Sequence, residues 1–510
     1  MLISTRICGS SLKEKIETVF LVNAGNDDRH PSVANYAIFP PLNILSIAST
    51  VKHEFKEIKV HIYDGQMHDV NIINTWIKSL EPDVVGISVL SSSYKNAMKH
   101  AKAAKEAGAV TILGNDHAAI YGRNILRGEN GKYIDYICTA DIGELVFCRF
   151  LRFLQGKESL KDVPKIMYLP KNNHEPEYTK GNELVNCPHE RWLLDQIPLV
   201  NWELMSYDLM FKYKMNYQRV YGDLLRDAAE DITAVTINRA RGCHRCGNPC
   251  LYCGIMDLNP KFSSPTVFWN EVKAAKKGVD ANVFYEAFDS MAGFPWWVEE
   301  LVKQKPQEEL KDVRFFVYSE ALGITSDLVE LYKKLGVYMV NMGLDSGDNE
   351  MLKRLKSSKD SVEQNKAAVS LLRKSGIYIY ASFVLGAPGE TEKSLQNTID
   401  FAGSLIENRN LAAVEVQPLY PLFNAKAGDW LMNPIRARWG AEMMGFEIRN
   451  PQRLSEMKDK WGHSDNPNPT EISRDWVDVF CHVDYEDLEN AAAQIKEYAR
   501  NFGIVCGAAW

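Results

Sequence analysis

No run of the sequence reaches the roughly 18 consecutive apolar residues that a membrane-crossing helix needs, so no membrane span is expected. The opening MLISTRICGSSLKEKIETVF lacks an apolar stretch of about 7 to 15 residues followed by a small-residue cleavage site. No secretory leader is read there, and a reducing, cytoplasmic setting is expected. There is no internal repeat and no low-complexity tract, which leaves an ordinary globular chain. Basic charge is not in excess: 59 Lys and Arg stand against 66 Asp and Glu, interspersed, for a formal net charge of −7. Nucleic acid is therefore not expected as a partner, and a small molecule or peptide is. Cysteine is sparse outside one stretch. Cys8, Cys138, Cys148, Cys187, Cys481 and Cys506 are scattered, and in a reducing compartment they read as buried thiols.

What is present is length and alternation. A chain of 510 residues, 45% hydrophobic and 25% charged, has room for two to four domains, each with its own core. In residues 17 to 156, TVFLVNA, KVHIYDG, VVGISVL and AVTILGN are short Val- and Ile-rich runs that end in turn-forming residues, and they read as buried parallel strands. Between them PLNILSIASTVKH, INTWIKSLE and YKNAMKHAKAAKEAG carry apolar residues at helical spacing. The spacing predicts a doubly wound, Rossmann-like α/β domain over 1–156, with its ligand outside the carboxyl ends of the strands. There Ser88, Ser91, Ser92 and Ser93, and after the next strand Gly114, Asn115 and His117, are the candidate binding residues. Residues 157–230 read as a connector. From 231 to 428 six strand candidates (232–238, 282–288, 313–319, 337–344, 378–386 and 412–420) alternate with amphipathic helices, enough for a partial (β/α)6 barrel. Residues 429–510 read as a mainly helical cap.

The first barrel strand runs directly into RARGCHRCGNPCLYCGI, residues 239 to 255, which holds four of the ten cysteines. Two C-x2-C knuckles, Cys243 with Cys246 and Cys250 with Cys253, are separated by only three residues, whereas a zinc ribbon leaves about 15 to 20 between them. A disulfide framework conflicts with a reducing compartment. The spacing Cys246-x3-Cys250-x2-Cys253 instead allows three thiolates to converge on three irons of a cubane cluster, leaving the fourth iron open. Tyr252, just before the last cysteine, is placed to lie over a ligand of that iron.

The C-x3-C-x-aromatic-C triad resembles that of the radical S-adenosylmethionine (SAM) superfamily, and further segments resemble its cobalamin-dependent branch. GLDSGDNEMLKRLK (343–356) is similar to that branch's fourth-strand G-x-E-S-G segment, FVLGAPGETEKSL (383–395) to its fifth-strand GxPGET segment, and PLYPLFNAKAG (418–428) to its sixth-strand end. In the first block FPPLNILSIAS, VVGIS and ILGNDHAA resemble its PPLGLLYLA, VGIS and GGxHA stretches. The resemblance covers roughly residues 17–156 and 232–425. It implies a [4Fe-4S] cluster, SAM and cobalamin as cofactors, an N-terminal cobalamin-binding domain and a radical-SAM barrel. It also implies an electron donor such as flavodoxin or ferredoxin, and most often methyl transfer to an unactivated carbon of a small molecule or peptide. Rearrangement or cyclisation without methyl transfer is the alternative, and methylthiolation is disfavoured because the first block has no second cysteine triad.

By the same resemblance Asp289, in YEAFDSMAG, and neighbouring carbonyls receive the SAM ammonium, while Asp345, Ser346 and Gly386 belong to the SAM site. Asp345 stands where relatives have Glu, and TADIGE (139–144) replaces their GEGE, leaving Gly143 and Glu144. In many relatives the cysteine of RGC, here Cys243, is the first cluster ligand. The following His244-Arg245-Cys246 leaves two candidates: spacing favours Cys246, position after the strand favours Cys243. DDRHPSV has Val33 where a D-x-H-x-x-G motif needs Gly, so His30 is read as a surface histidine and not as a cobalt ligand.

Overall fold

The computed structural model describes residues 15–27, 37–171, 173–180, 191–225, 231–255, 259–407 and 411–507. His30 lies outside them. The described residues form two compact units: residues up to 217 with 262–281, and residues 218–261 with 282–507.

The first unit is built on a seven-stranded sheet of β1 (Thr18–Asn23), β2 (Lys59–Asp64), β3 (Val84–Ser88), β4 (Val110–Gly114), β5 (Tyr136–Cys138), β6 (Pro164–Tyr168) and β7 (Glu177–Lys180). Its order is β2-β1-β3-β4-β5-β6-β7. The parallel part, 2-1-3-4-5, is the flavodoxin-like winding, with the change of direction between β1 and β3. β3 is buried at every position because helices cover both faces, which is why VVGIS is continuously apolar up to its terminal serine. Val19, Leu21, Ile112, Val146 and Phe150 meet in one core cluster.

The expected connector is partly sheet. β6 and β7 extend the edge antiparallel, the fully buried Ile166 and Met167 supplying the apolar contact. The helix Pro265–Val279, which follows the first barrel strand in sequence, groups with this unit: its buried Glu271 accepts the backbone N–H of Val200, and its Gly278 lies against Trp202.

In the second unit β8 (Ala234–Ile237), β11 (Val283–Glu286), β12 (Arg314–Ser319), β13 (Val337–Asp345), β14 (Tyr378–Leu385) and β15 (Leu411–Pro418) lie side by side, all parallel and in sequence order. These are the six strands the sequence predicts. A short ribbon of β9 (Ala240–Arg241) and β10 (Lys261–Phe262) brackets the cysteine stretch. The C-terminal cap is helical as expected, but Val505–Cys506 returns as β16 beside β15 and makes a seventh parallel strand. Three cap helices begin Asn-Pro, at 433–434, 450–451 and 468–469. In each the Asn side chain caps free N–H groups while Pro fills the first turn, where no N–H is needed.

Candidate functional site

The cysteine loop lies at the carboxyl ends of the second sheet's strands, and side chains from four of those ends hold it. Its start is fixed by the segment after β11. Buried Glu286 accepts the N–H groups of Arg239 (3.0 Å) and Ala240 (3.2 Å), and Asp289 Oδ2 accepts that of Gly242 (2.9 Å). Gly242 has φ +90°, a conformation that a side chain would oppose, and an added Cβ would lie 3.1 Å from Asn259 and Pro260. Asp289 itself is exposed.

The middle is tied to the ends of β12 and of the helix Asn349–Leu355. Arg245 Nε donates to Glu320 Oε2 (2.7 Å) and Nη2 to Asp360 Oδ1 (2.8 Å), while His244 Nε2 lies 2.5 Å from Glu320 Oε1. Burial works against the charged form of Glu320, but His244 and Arg245 together outweigh it and hold the carboxyl below its ordinary range.

The end of the loop is held from β13 and β15. Leu251 N–H donates to Leu355 O (2.8 Å) and Ala427 N–H to Leu251 O (2.9 Å). Asn424 Nδ2 donates to Gly254 O (2.7 Å) and Lys426 Nζ to Pro249 O (2.9 Å). Tyr252 OH donates to Asp345 Oδ1 at 2.9 Å, and Lys356 Nζ lies 2.6 Å from Asp345 Oδ2. Asp345 sits on a bulge in β13, between Gly343 and its own position, with φ +58°, so its carboxylate is turned toward the loop and is 1% exposed. Ser346 is turned the other way. Its hydroxyl is within 3.0 Å of Thr398 Oγ1 and accepts the N–H of Asp348, so it secures the bulge and does not face the thiols.

None of the four loop cysteines is in a disulfide. Among the described residues no three His, Cys, Asp or Glu side chains are gathered at metal-holding distance. Burial pushes the Cys250 thiol up to about 12, against the pull of Lys356 and Arg245, the cations beside it. That donor set fits an iron–sulfur cluster. Iron displaces the thiol protons, and the two cations offset the negative charge that thiolates bring into a buried place.

The GAPGET segment follows β14. Gly386 (φ +88°) donates its N–H to Glu390 Oε2 (3.2 Å), as does Ala387 (3.3 Å), and Ser394 OH donates to Oε1. The cap braces this turn: Trp476 Nε1 donates to Gly386 O (2.8 Å), Gly389 N–H to Phe480 O (2.6 Å) and His482 N–H to Glu390 O (2.7 Å). Cys481 Sγ lies 3.4 Å from Ala387 O, which places one of the scattered cysteines under the turn. Burial pushes the Glu390 carboxyl up to about 7.

In the first unit most of the predicted residues do meet, at the carboxyl ends of β1 to β4. Ser88 Oγ accepts from Asn43 Nδ2 (2.6 Å) and Asn115 Nδ2 (3.0 Å); Asn43 also reaches Asn23, whose amide donates to Asp64 Oδ1 (2.8 Å). Tyr213 OH donates to the other oxygen of Asp64. Ser91 Oγ lies 2.9 Å from Nδ1 of His117, which is buried between Tyr94 and Tyr121. Gly114 has open space at its Cβ position. Ser93 and Ser92 serve the turn itself: Ser93 Oγ accepts the N–H of Leu90, and Ser92 O that of Asp27. Glu144 is structural, accepting from Ser46 OH in the core (2.9 Å). The residues that sequence reasoning did not single out are Asn23, Asn43, Asp64 and Tyr213 here, and Arg245, Glu286, Glu320, Lys356, Asp360 and Glu390 in the second unit. Lys356 and Glu390 lie inside recognised segments.

A parallel half-barrel whose strand ends carry a loop of closely spaced thiols, flanked by cations, is the architecture of a radical SAM enzyme. Residues 237–402 match the Radical SAM superfamily. That match covers the barrel, and the fold of the chain is similar to that of solved cobalamin-dependent SAM radical enzymes. It is similar to OxsB, a cobalamin-dependent SAM radical enzyme (TM-score 0.66, 16% identity, covering 96% of this chain and 68% of that one). It is also similar to the radical SAM methyltransferase TsrM of Kitasatospora setae (TM-score 0.62, 15% identity, covering 81% and 74%). In sequence it is 23% identical over 386 residues, 72% of this chain and 73% of the relative, to the uncharacterized methyltransferase PH0819 of Pyrococcus horikoshii.

Proposed function

We propose that the protein is a cobalamin-dependent radical SAM methyltransferase that acts on an unactivated carbon of a small molecule or peptide. The observation that carries this reading is the cysteine loop, seated on the strand ends with Cys250 beside Lys356 and Arg245. When bound, the cluster and SAM would supply an adenosyl radical that takes a hydrogen atom from the substrate carbon, and the cobalamin a methyl group.

The protein's own residues do the rest. Cys246, Cys250 and Cys253 hold the iron, with Cys243 as the other candidate for the first position. Exposed Asp289 is available at the rim to receive the SAM ammonium. Asp345, buried with its two oxygens on Tyr252 and Lys356, borders the SAM site from beneath the loop; Ser346 and Gly386 set the backbone of the two turns that border the site. In the first unit Ser88, Ser91, Asn115 and His117 form a polar ledge at the strand ends, where a doubly wound sheet binds its ligand, and Gly114 leaves room beside it. The TsrM structure contains cobalamin and a [4Fe-4S] cluster, and an OxsB structure contains cobalamin and SAM, which supports the same set here. The proposal includes an electron donor such as flavodoxin or ferredoxin and a cytoplasmic setting. No helix among the described residues is long and apolar enough to cross a membrane.

The test is anaerobic loading with iron, sulfide and cobalamin, followed by SAM and dithionite. Bound cobalamin and formation of 5'-deoxyadenosine are expected, and with the true substrate S-adenosylhomocysteine forms in about equal amount, since one SAM gives the methyl group and another the radical. Cobalamin with 5'-deoxyadenosine alone would point to rearrangement or cyclisation.

A further inference from the structure

The loop carries one thiol more than a three-thiolate site uses, and the geometry separates the two candidates. Residues 243–246 form a single turn closed by the Cys246 N–H donating to Cys243 O at 3.0 Å, with the two cysteines as its first and last residues. At the first end Cys243 Sγ accepts the Arg245 N–H at 3.5 Å and lies 3.8 Å from His244 Nδ1. The imidazole runs on to Glu320 and is packed against Gly293, where an added Cβ would lie 2.5 Å from Nδ1. Cys243 is thereby associated with the ends of β11 and β12. Cys250 and Tyr252 are associated with the end of β13, through Lys356 and Asp345.

Arg245 stands between these groups. Its side chain is 11% exposed and its guanidinium is held in two directions, by Glu320 and by Asp360, whose second oxygen accepts Ser357 OH at 2.6 Å. It also lies within electrostatic range of Cys250. A planar fork with both arms engaged has one orientation, which a lysine's single ammonium cannot reproduce.

We propose that His244 and Arg245 form a positioning clamp: Arg245, fixed between Glu320 and Asp360, sets the turn so that Cys246 joins Cys250 and Cys253 as a cluster ligand, while His244 holds Cys243 out of the ligand set. The inference rests on the proposed function, because it presumes that the loop holds a cluster. Arg245 acts through the turn and touches no reacting atom, so it is a positioning residue. Cys243 is a resident thiol beside the cluster that remains open to chemistry after loading.

The experiment uses the full chain loaded anaerobically with ferrous iron and sulfide. The protein is treated with iodoacetamide under the same atmosphere, and the alkylated cysteines are mapped by mass spectrometry. In loaded wild-type protein Cys243 is the one loop cysteine expected to be alkylated, a readout that needs no variant to fold. Cys243→Ala is expected to keep the wild-type iron content and the electron paramagnetic resonance signal of the reduced cluster, and Cys246→Ala to lose both. Arg245→Lys is expected to keep the circular dichroism spectrum of the unloaded protein, but on loading to lose most of the iron and of the reduced-cluster signal and to leave Cys246 open to alkylation. Alkylation at Cys246 in the loaded wild type, or loss of the cluster in Cys243→Ala, overturns the ligand assignment. An Arg245→Lys protein that matches wild type in iron content and reduced-cluster signal, with Cys246 protected, overturns the clamp. Wild-type protein that takes up no iron would overturn the proposed function and this inference together, a result distinct from either of the others.

Discussion

Glu390 is fully enclosed in the turn between β14 and the helix Glu392–Ile406, and burial lifts its carboxyl from 4.5 to about 7. The folded protein therefore binds this proton more tightly than the unfolded chain. Between those two values the native state carries the larger share of the proton, and stability falls as pH rises. The contribution is fully present below pH 4.5, is lost progressively up to about pH 7, and is flat beyond. With 1.36 kcal/mol per unit, the span of about 2.5 units corresponds to roughly 3 kcal/mol. Glu390→Gln has the same shape and no proton to lose. Its carbonyl oxygen can accept from Gly386 and Ala387, and its amide can face the Ser394 oxygen, so the turn keeps its hydrogen bonds. Urea unfolding followed by circular dichroism at half-unit steps from pH 4.5 to 8 should show the wild-type stability falling relative to the variant by roughly 3 kcal/mol, with the curves parallel above about pH 7.5. Curves parallel over the whole range would refute the reasoning, since other titrating groups are common to both proteins and cancel in the difference.

Cys250→Ala and Cys253→Ala should each abolish the cluster, read as iron and sulfide content after anaerobic loading; a full complement in either removes the basis of the proposed function. Lys356→Met leaves the buried Asp345 carboxylate without its cation and should cost about 3 to 5 kcal/mol in urea unfolding, whereas Tyr252→Phe, which removes one hydrogen bond, should cost about 1 kcal/mol. Gly386→Ala places a Cβ at φ +88° and 3.0 Å from Leu488, and should lower stability by about 1 to 2 kcal/mol in the same assay. His30→Ala should leave the absorption spectrum of bound cobalamin unchanged, and an altered spectrum would make His30 a cobalt ligand.

What could be read along the sequence and what could not divide along a physical line. β1, β3, β4 and the six barrel strands announce themselves because each is an apolar run that must be buried, whereas β2, expected to be buried too, is an edge strand in which only Asp64 is buried. β6 and β7 do not: β6 opens with Pro164 and carries Lys165 at φ +57°, and β7 is mostly exposed, so neither shows a strand's pattern. The two residues of β16 are too short to carry any pattern. At the site the same division holds. The cysteine spacing is local, and it was legible because three thiols on one loop already limit what they can bind. The groups that seat that loop are recruited across 47 residues by Glu286, 75 by Glu320, 93 by Asp345 and 115 by Asp360. Nothing within a short window shows that Glu320 or Asp360 is buried, or that Arg245 is the cation that makes their burial tolerable. Yet the order of these partners follows from the fold: parallel strands laid side by side in sequence order bring successive strand ends to successive places along one rim. A loop leaving β8 therefore meets the ends of β11, β12, β13 and β15, and the recognised segments after β11, β13 and β15 lie where a side chain can reach the loop, while GAPGET, after β14, is braced by the cap.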